Sequence, residues 1–170
     1  MNAPRSFLLL LVFAVTTAKG QTPPSPAADQ PLPTAVLRFE SSDDALAKQG
    51  EEISTLLEAD LSTSPHAITV ERDEIEKVLN EQELGASGLV SADTAAKIGS
   101  LTGAKVLVTG RFFAVGNQFM LVAKIISTET SRVYGVTTTI NDLGSLNQGV
   151  QDLSGKIDGV LGSHLSLIHI

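Results

Sequence analysis

The stretch KVLVTGRFFAVGNQFMLVAKIIS, residues 105–127, contains two long and largely apolar segments separated by Gly116 and Asn117. A connection of two residues with this composition is typical of a tight β-hairpin turn. We therefore predict two antiparallel strands, at residues 105–115 and 118–127. This hairpin is the centre of the predicted fold, because the elements around it must pack on its faces.

Pairing Val115 with Gln118 across the turn fixes the register, and side chains then alternate between the two faces of the hairpin. One face is wholly apolar and is predicted to be core. The other face mixes polar and apolar side chains: Thr109, Arg111, Phe113, Met120, Val122 and Lys124. From this mixed face, Arg111, Phe113, Met120 and Lys124 form a candidate interface with another protein.

Amphipathic helices and short strands precede the hairpin. A strand at residues 35–39 leads into a first helix, which Ser64-Pro65 ends. This helix carries an apolar stripe formed by Ile53, Leu56, Leu57 and Leu61. A second strand at residues 67–70 is followed by an acidic helix at residues 73–83 and by a third helix, which begins at Ser91 and ends by Gly103.

A strand at residues 132–140 and a last helix follow the hairpin. The last helix places apolar residues from Leu143 to Val160 at spacings of three and four, which indicates one buried side. Together these elements predict an α/β fold of the α+β sandwich type. We expect a mixed sheet of about five strands, with antiparallel C-terminal strands, packed by three to four helices.

The apolar side chains on the mixed face of the hairpin must be buried by another element, and two possibilities are open. The last helix is favoured, because its apolar stripe must be buried and the strands are already apolar on their other face. The alternative is a partner protein. In that case Arg111 and Lys124 would lie against the acidic helix of a second copy in a head-to-tail assembly.

The first residues have the features of a signal peptide, at residues 1–20. Arg5 precedes an apolar run at residues 7–15, which is about half the roughly 20 residues that a membrane-spanning helix needs. Ala18 and Gly20 are the small residues that signal peptidase requires, so we predict cleavage after Gly20 and no membrane span in the mature chain.

The remaining boundaries follow from composition and periodicity. Residues 21–34 are rich in proline and are predicted to be an extended linker. Residues 35–162 are predicted to be the folded domain. Residues 163–170 break the helical period, and we assign no function to this tail.

Charge and composition limit the kinds of partner. The chain has 19 acidic and 12 basic residues, a net charge of −7 that would become −9 without the signal peptide, so nucleic acid and anionic membranes are disfavoured. Residues 34–90 are acidic and residues 91–140 are basic, which indicates two differently charged surfaces. The absence of cysteine removes disulfides and a lipoprotein anchor. We predict an exported, soluble protein, either in the periplasm, free or associated with the outer membrane, or secreted.

Patterns that would predict catalysis are missing. The three histidines, His66, His164 and His169, lack the spacing of a metal site, and no serine lies in a nucleophile motif. The glycine-rich segment at residues 85–88 lacks the Lys-Ser/Thr of a phosphate-binding loop, and the segment at residues 99–105 leads into a strand instead of a helix. Both are interpreted as turns. We therefore predict a non-enzymatic protein with no cofactor, metal or catalytic residue.

Several of these segments, taken in order, resemble the CsgG family of curli-production assembly proteins. The similar motifs are Val70-Glu71-Arg72, NEQEL at residues 80–84 followed by Gly88, AAKIG at residues 95–99, and GAKVLVTG at residues 103–110. The resemblance covers about residues 34–140. It implies an α/β sandwich in the bacterial envelope, with a fold similar also to the amino-terminal domain of TolB and to LpoB, the activator of a peptidoglycan synthase.

The resemblance also implies structural or contact roles for the matched residues. These are Glu71, Arg72, Glu81, Gln82, Gly88, Gly99, Gly103 and Gly110. Glu71 and Arg72 would be ion-pairing groups at the start of a helix. The side chains of Glu81 and Gln82 would be available to a neighbouring protein. The glycines would permit turns and close packing, and Gly110 would lie where another element presses on the sheet.

The resemblance does not extend to every activity of the family. Members that form the curli secretion pore are outer-membrane lipoproteins with additional amphipathic hairpins, and this chain has neither the cysteine nor such hairpins. The leading hypothesis is a non-enzymatic envelope protein, alone or as a homo-oligomer, that acts through protein–protein interaction in the assembly or secretion of surface material. The alternatives are a periplasmic regulator of a peptidoglycan synthase, a periplasmic module that binds a small molecule or glycan, and an unrecognised hydrolase.

Overall fold

A computed structural model of the chain describes residues 30–41, 43–71, 75 and 91–165. The predicted signal peptide lies outside these ranges, as does most of the predicted linker. The predicted acidic helix also lies outside them, apart from Ile75, which is helical and buried.

The described residues form five strands and three α-helices. The strands are β1 (Leu32–Ser41), β2 (Ala67–Thr69), β3 (Val106–Val115), β4 (Gln118–Ser127) and β5 (Val133–Ile140), and the helices are α1 (Ala47–Ser62), α2 (Ala92–Thr102) and α3 (Leu146–Val160). Short 3-10 turns at Asp44–Leu46 and Leu143–Ser145 lead into α1 and α3, and a π-helical turn, Leu161–Leu165, follows α3.

The strands form one mixed sheet in the order β2-β1-β3-β4-β5. β1 pairs in parallel with both β2 and β3, whereas β3, β4 and β5 form an antiparallel meander. The predicted fold class is therefore confirmed. The predicted register of the hairpin is confirmed as well, since Val115 lies opposite Gln118 and Gly116 has a φ of 60° in the turn.

β1 begins at Leu32, three residues inside the segment predicted to be linker. Leu32 is buried and donates its N–H to the carbonyl of His66 at 2.8 Å. Pro33 is tolerated because it precedes the first pair of β1 with β3, which is Thr34 with Val106. Its missing N–H therefore removes no hydrogen bond between these two strands. Its carbonyl still accepts a hydrogen bond from the N–H of Lys105 at 2.7 Å.

Among the described residues, two clusters of buried apolar side chains lie on opposite faces of the sheet. The larger cluster includes Ile53 and Leu57 from α1, Val150 and Leu153 from α3, and Val108, Phe112 and Leu121 from the hairpin. The smaller cluster includes Ala95 and Ile98 from α2, Leu107 and Ile126 from the hairpin, and Ile75. The sheet therefore carries two helices on one face, and α2 with Ile75 on the other.

The prediction that the last helix covers the mixed face of the hairpin is wrong. α3 lies on the apolar face beside α1, where Gly149 allows a close approach to Ile140 of β5. The apolar face extends beyond the hairpin onto β1 and β5, through Phe39 and Ile140, and is wide enough for two helices. The stripe of the last helix is thus buried without contact to the mixed face.

A break in the β1 register places Phe39 at a crowded point of the larger cluster. β1 and β3 shift relative to each other between Val36 and Phe39, and beyond the shift Phe39 lies opposite Gly110. The N–H of Phe39 donates to the Ser54 hydroxyl oxygen at 2.7 Å, and that hydroxyl donates to the Gly50 carbonyl at 2.9 Å. Phe39 therefore joins β1 to α1 through its backbone and to β3 through its ring.

Replacing Ser54 by alanine should lower the free energy of unfolding by about 1 to 3 kcal/mol, because the buried N–H of Phe39 would lose its acceptor. Urea unfolding followed by circular dichroism measures this change. The matched control is Ser62→Ala, which removes an exposed α1 hydroxyl that donates to Ala59 and should cost less than about 0.5 kcal/mol. Equal losses in the two variants would contradict the role assigned to Ser54.

Candidate functional site

The sheet face that carries α2 and Ile75 is left uncovered at one end by the described helices. We call this end the open face, and it consists of Glu40, Arg111, Phe113, Met120, Val122, Lys124, Thr137 and Thr139. α2 and Ile75 pack on the other end of this sheet face, around Leu107 and Ile126. The apolar side chains of the open face belong to neither buried cluster of the described residues.

Strand pairing arranges the open face in rows across the sheet. The row in the middle is formed by Glu40, Arg111, Val122 and Thr137 from β1, β3, β4 and β5. On one side of it lies the row Phe113, Met120 and Thr139, and on the other side Lys124 lies opposite Gly135. The antiparallel register therefore brings together side chains that are far apart in the sequence.

Apolar and cationic groups are neighbours on this surface. Phe113, Met120 and Val122 are half-buried, whereas Arg111 and Lys124 are exposed. The Arg111 guanidinium lies 3.9 Å from the Glu40 carboxylate, too far for a good hydrogen bond, and exposed pairs of this kind contribute little. Lys124 makes no ion pair within the described ranges. Both cations therefore remain available to a partner.

The composition of the open face suits contact with another protein. Large apolar side chains beside arginine are enriched at protein interfaces, where they provide buried area while the charges set orientation. The four residues predicted as an interface from the sequence, Arg111, Phe113, Met120 and Lys124, all lie on this surface. Val122 and Glu40 join them because of the pairing of β4 and β1.

Four of the residues matched to family motifs are described by the structure, and four are not. Arg72, Glu81, Gln82 and Gly88 lie outside the described residues, and Glu71 is exposed two residues after the end of β2. Gly103 ends α2 with a φ of 76°, and a Cβ at Gly99 would overlap Thr128 and the Ala104 carbonyl. A Cβ at Gly110 would overlap the Phe39 ring.

A polar groove lies between the edge of the sheet and the start of α3, and no pattern in the sequence predicts it. The groove has a volume of about 320 Å³ and is lined by Thr138, Thr139, Ile140, Asn141, Ser145, Gln148, Gly149 and Asp152. At one end Lys156 donates to the Asp152 carboxylate at 2.6 Å, and the Thr138 hydroxyl donates to the same oxygen at 2.7 Å. These two hydrogen bonds, that of Lys156 above all, lower the pKa of the Asp152 carboxyl.

A second polar cluster ties the turn after α1 to α3. Asp158 accepts a hydrogen bond from the Ser64 hydroxyl, and the same carboxylate oxygen lies 2.9 Å from Nδ1 of His66. The serine thus bonds to the carboxylate and not to the imidazole, so this cluster is not arranged for the histidine to activate the hydroxyl. Its evident role is to hold the two segments together, and more than ninety residues separate them in the sequence.

Two further classes of site can be assessed over the same part of the chain. In the residues that the structure describes, no group of three or more His, Asp or Glu side chains could hold a metal ion. None of the described helices is both long enough and apolar enough to cross a membrane.

The sequence matches one protein family. The model of the family described as "Curli production assembly/transport component CsgG" matches residues 26–121, which is more than half of the 170-residue chain. The match extends from before β1 into β4 and confirms the resemblance found in the motifs. No curated protein sequence matches the chain.

Solved structures with the same fold are distant in sequence. The NMR structure of E. coli LpoB has a TM-score of 0.53 at 14% identity, covering 82% of this chain and 83% of that chain. The LpoB C-terminal domain from Salmonella enterica has a TM-score of 0.51 at 14% identity, covering 68% and 87%. Lipoprotein GNA1162 from Neisseria meningitidis has a TM-score of 0.52 at 12% identity, covering 79% and 99%. At these identities the likeness shows the fold alone.

Proposed function

We propose that this chain, which belongs to the CsgG family of curli production assembly/transport components, is a non-enzymatic protein of the bacterial envelope. It acts through protein–protein contacts in the assembly or secretion of surface material. The family match supports the envelope setting, and the contacts are assigned to the open face. Export to the periplasm with cleavage after Gly20 is part of the proposal and rests on the signal peptide predicted from the sequence.

The observation that carries the proposal is the composition of the open face. Three half-buried apolar side chains, Phe113, Met120 and Val122, lie next to one another and beside two exposed cations, on a sheet surface that the described helices leave uncovered. A surface that served only as solvated exterior would carry polar side chains at these positions. The arrangement therefore favours a partner that covers the apolar groups and pairs with the cations.

The chemistry of the open face also selects the partner's surface. Arg111 and Lys124 favour an acidic surface, and the apolar groups beside them favour an amphipathic helix over a fully charged one. This sequence itself contains a segment of that composition, residues 73–83, with Asp73, Glu74, Glu76, Glu81 and Glu83. A second copy could therefore bind head to tail, and another acidic envelope protein could bind in the same way.

The double variant Arg111→Glu, Lys124→Glu tests this proposal. Sedimentation of the mature chain should show self-association that weakens by about tenfold or more between roughly 20 mM and 500 mM salt, because exposed charge contacts are screened. The double variant should abolish it while keeping the circular dichroism spectrum.

The control for this test reverses two cations elsewhere, with the same change in net charge. Lys48 lies on α1 and Lys97 on α2, and both are exposed. The variant Lys48→Glu, Lys97→Glu should associate as the wild type does. Self-association that is equally weak in both double variants would show an effect of net charge, and a monomer at every salt concentration would exclude the head-to-tail assembly.

A second candidate function is binding of a small polar molecule or glycan in the groove beside α3. The observation that favours it is the groove itself, whose lining offers hydroxyl and amide groups from Thr138, Asn141, Ser145 and Gln148. Such groups fix a polar ligand by hydrogen bonds. Large shifts of the backbone amide NMR signals of residues 138–152 on addition of oligosaccharides, with none on the open face, would favour this function over the first.

A further inference from the structure

The two edges of the sheet differ in how they are protected. β2 forms one edge and has only three residues, and short edge strands resist pairing with other chains. β5 forms the other edge with eight residues, and it pairs with β4 without a break in register. Its sequence, VYGVTTTI, contains neither proline nor charge and is rich in β-branched residues. Within the described part of the chain, β5 pairs with β4 alone.

The backbone groups that face the outer edge of β5 can be identified from one contact. Nζ of Lys156, on α3, donates to the carbonyl of Thr137 at 2.8 Å, so this carbonyl points away from β4. Backbone groups alternate in direction along a strand. The outward set is therefore Val133, Gly135, Thr137 and Thr139. The pairing of Val115 with Gln118 across the hairpin turn leads to the same set when it is followed through β4.

Lys156 is fixed in this position by its other contacts. Its ammonium donates to the Asp152 carboxylate at 2.6 Å and to the Thr138 hydroxyl at 3.1 Å. Asp152 lies one helical turn before Lys156 and also accepts from Thr138. The Lys156 ammonium thus donates a hydrogen bond to the Thr137 carbonyl, in the middle of the exposed edge, and the Asp152 carboxylate holds it there.

We propose that the outer edge of β5 is a pairing surface for a second copy of this chain, and that Lys156 opposes this pairing. The outward set is symmetric about Val136, so two antiparallel β5 strands can place Gly135 of each copy opposite Thr137 of the other. Pairing in this register would join two sheets into one of ten strands. It uses the edge and not the open face, and so goes beyond the function proposed above.

Lys156 opposes the pairing because its ammonium and the second copy would both donate to the carbonyl oxygen of Thr137. In the symmetric register the N–H of Gly135 would donate to the Thr137 carbonyl of the second copy, and Lys156 already occupies that carbonyl. Pairing would also bring the two Lys156 ammonium groups close to the symmetry axis, where they repel each other. A lysine placed at a sheet edge is a known device against edge-to-edge association.

The variant Lys156→Met tests the proposal, because it removes the ammonium and keeps an unbranched side chain. Sedimentation at high salt, which screens contacts of the open face, should show a dimer with a dissociation constant lower than that of the wild type by about tenfold or more, since one carbonyl is freed in each copy. Lys156→Arg keeps the cation and should behave as the wild type. A Lys156→Met variant that associates no more than the wild type would overturn the proposal.

Proline at Gly135 shows whether the association uses this edge. Gly135→Pro removes an N–H that points outward, so it should abolish the dimer of Lys156→Met without breaking the β4 ladder. Gly135→Ala keeps the N–H, has open space around its Cβ and should leave the dimer intact. If the proline variant fails to fold, slowed amide exchange at Gly135, Thr137 and Thr139 in Lys156→Met supplies the same test. A dimer that proline does not affect, or unprotected amides in the dimer, would refute pairing through β5.

Discussion

Replacing Gly110 by alanine is expected to lower the free energy of unfolding by about 3 kcal/mol. A Cβ at this position would overlap the ring of Phe39 on one side and the carbonyl oxygen of Val122 on the other. The ring cannot move aside at low cost, because Phe39 is only 1% exposed and lies within the larger apolar cluster. Guanidinium unfolding followed by circular dichroism measures the loss.

Gly135 is the matched control for this substitution, since it is also a strand glycine. A Cβ at Gly135 has no atom within 4 Å, so Gly135→Ala should leave stability within about 0.5 kcal/mol of the wild type or raise it slightly. Combining Gly110→Ala with Phe39→Leu, which shortens the overlapping side chain, should cost less than the sum of the two single variants. Additive losses would argue against the contact between Phe39 and Gly110 as the cause.

Replacing Gly50 by alanine is expected to lower the free energy of unfolding by about 2 kcal/mol, although alanine favours a helix by about 1 kcal/mol over glycine. A Cβ at Gly50 would overlap the carbonyl oxygen of Phe39, which is backbone and cannot rotate away. Either α1 must move off the sheet or β1 must deform beside its register shift. Thermal unfolding of the variant and the wild type in parallel measures the effect.

A helix glycine with open space provides the comparison for Gly50. Gly155 lies on the exposed side of α3, and a Cβ there meets no atom within 4 Å. Gly155→Ala should therefore raise the free energy of unfolding by up to about 1 kcal/mol, through helix propensity alone. If Gly50→Ala stabilised the chain in the same way, α1 would not lie against β1 as closely as the structure places it.

The hairpin and its register could be predicted from the sequence because both depend on local information. Gly116 and Asn117 define the turn, and alternation along the two strands then decides the faces. The candidate interface residues Arg111 and Lys124 could be placed on one surface for the same reason. Val122 was on the predicted mixed face as well, whereas Glu40 reached the open face only through the shifted pairing of β1 with β3.

The face of the sheet on which the last helix packs could not be predicted in this way. The apolar stripe of α3 shows that one side is buried, but it contains no information on which face of the sheet buries it. The contacts of Ser54 and Gly50 with Phe39 were missed because a serine and a glycine within a helix have no distinguishing pattern. The Lys156 contact with Thr137 was missed because it depends on where α3 crosses the edge of the sheet.

The mixed pairing of the sheet has a consequence for the order in which the chain folds. The meander of β3, β4 and β5 is built from neighbouring segments, whereas β1 meets β3 across about 70 residues, from Thr34 to Val106. Contacts between distant segments require closure of a long loop and form after local ones. β1 should therefore dock late on a preformed meander, bringing Phe39 onto Gly110 in one of the last steps. Crowding at Gly110 would then act mainly by accelerating unfolding, while the rate of folding changes little.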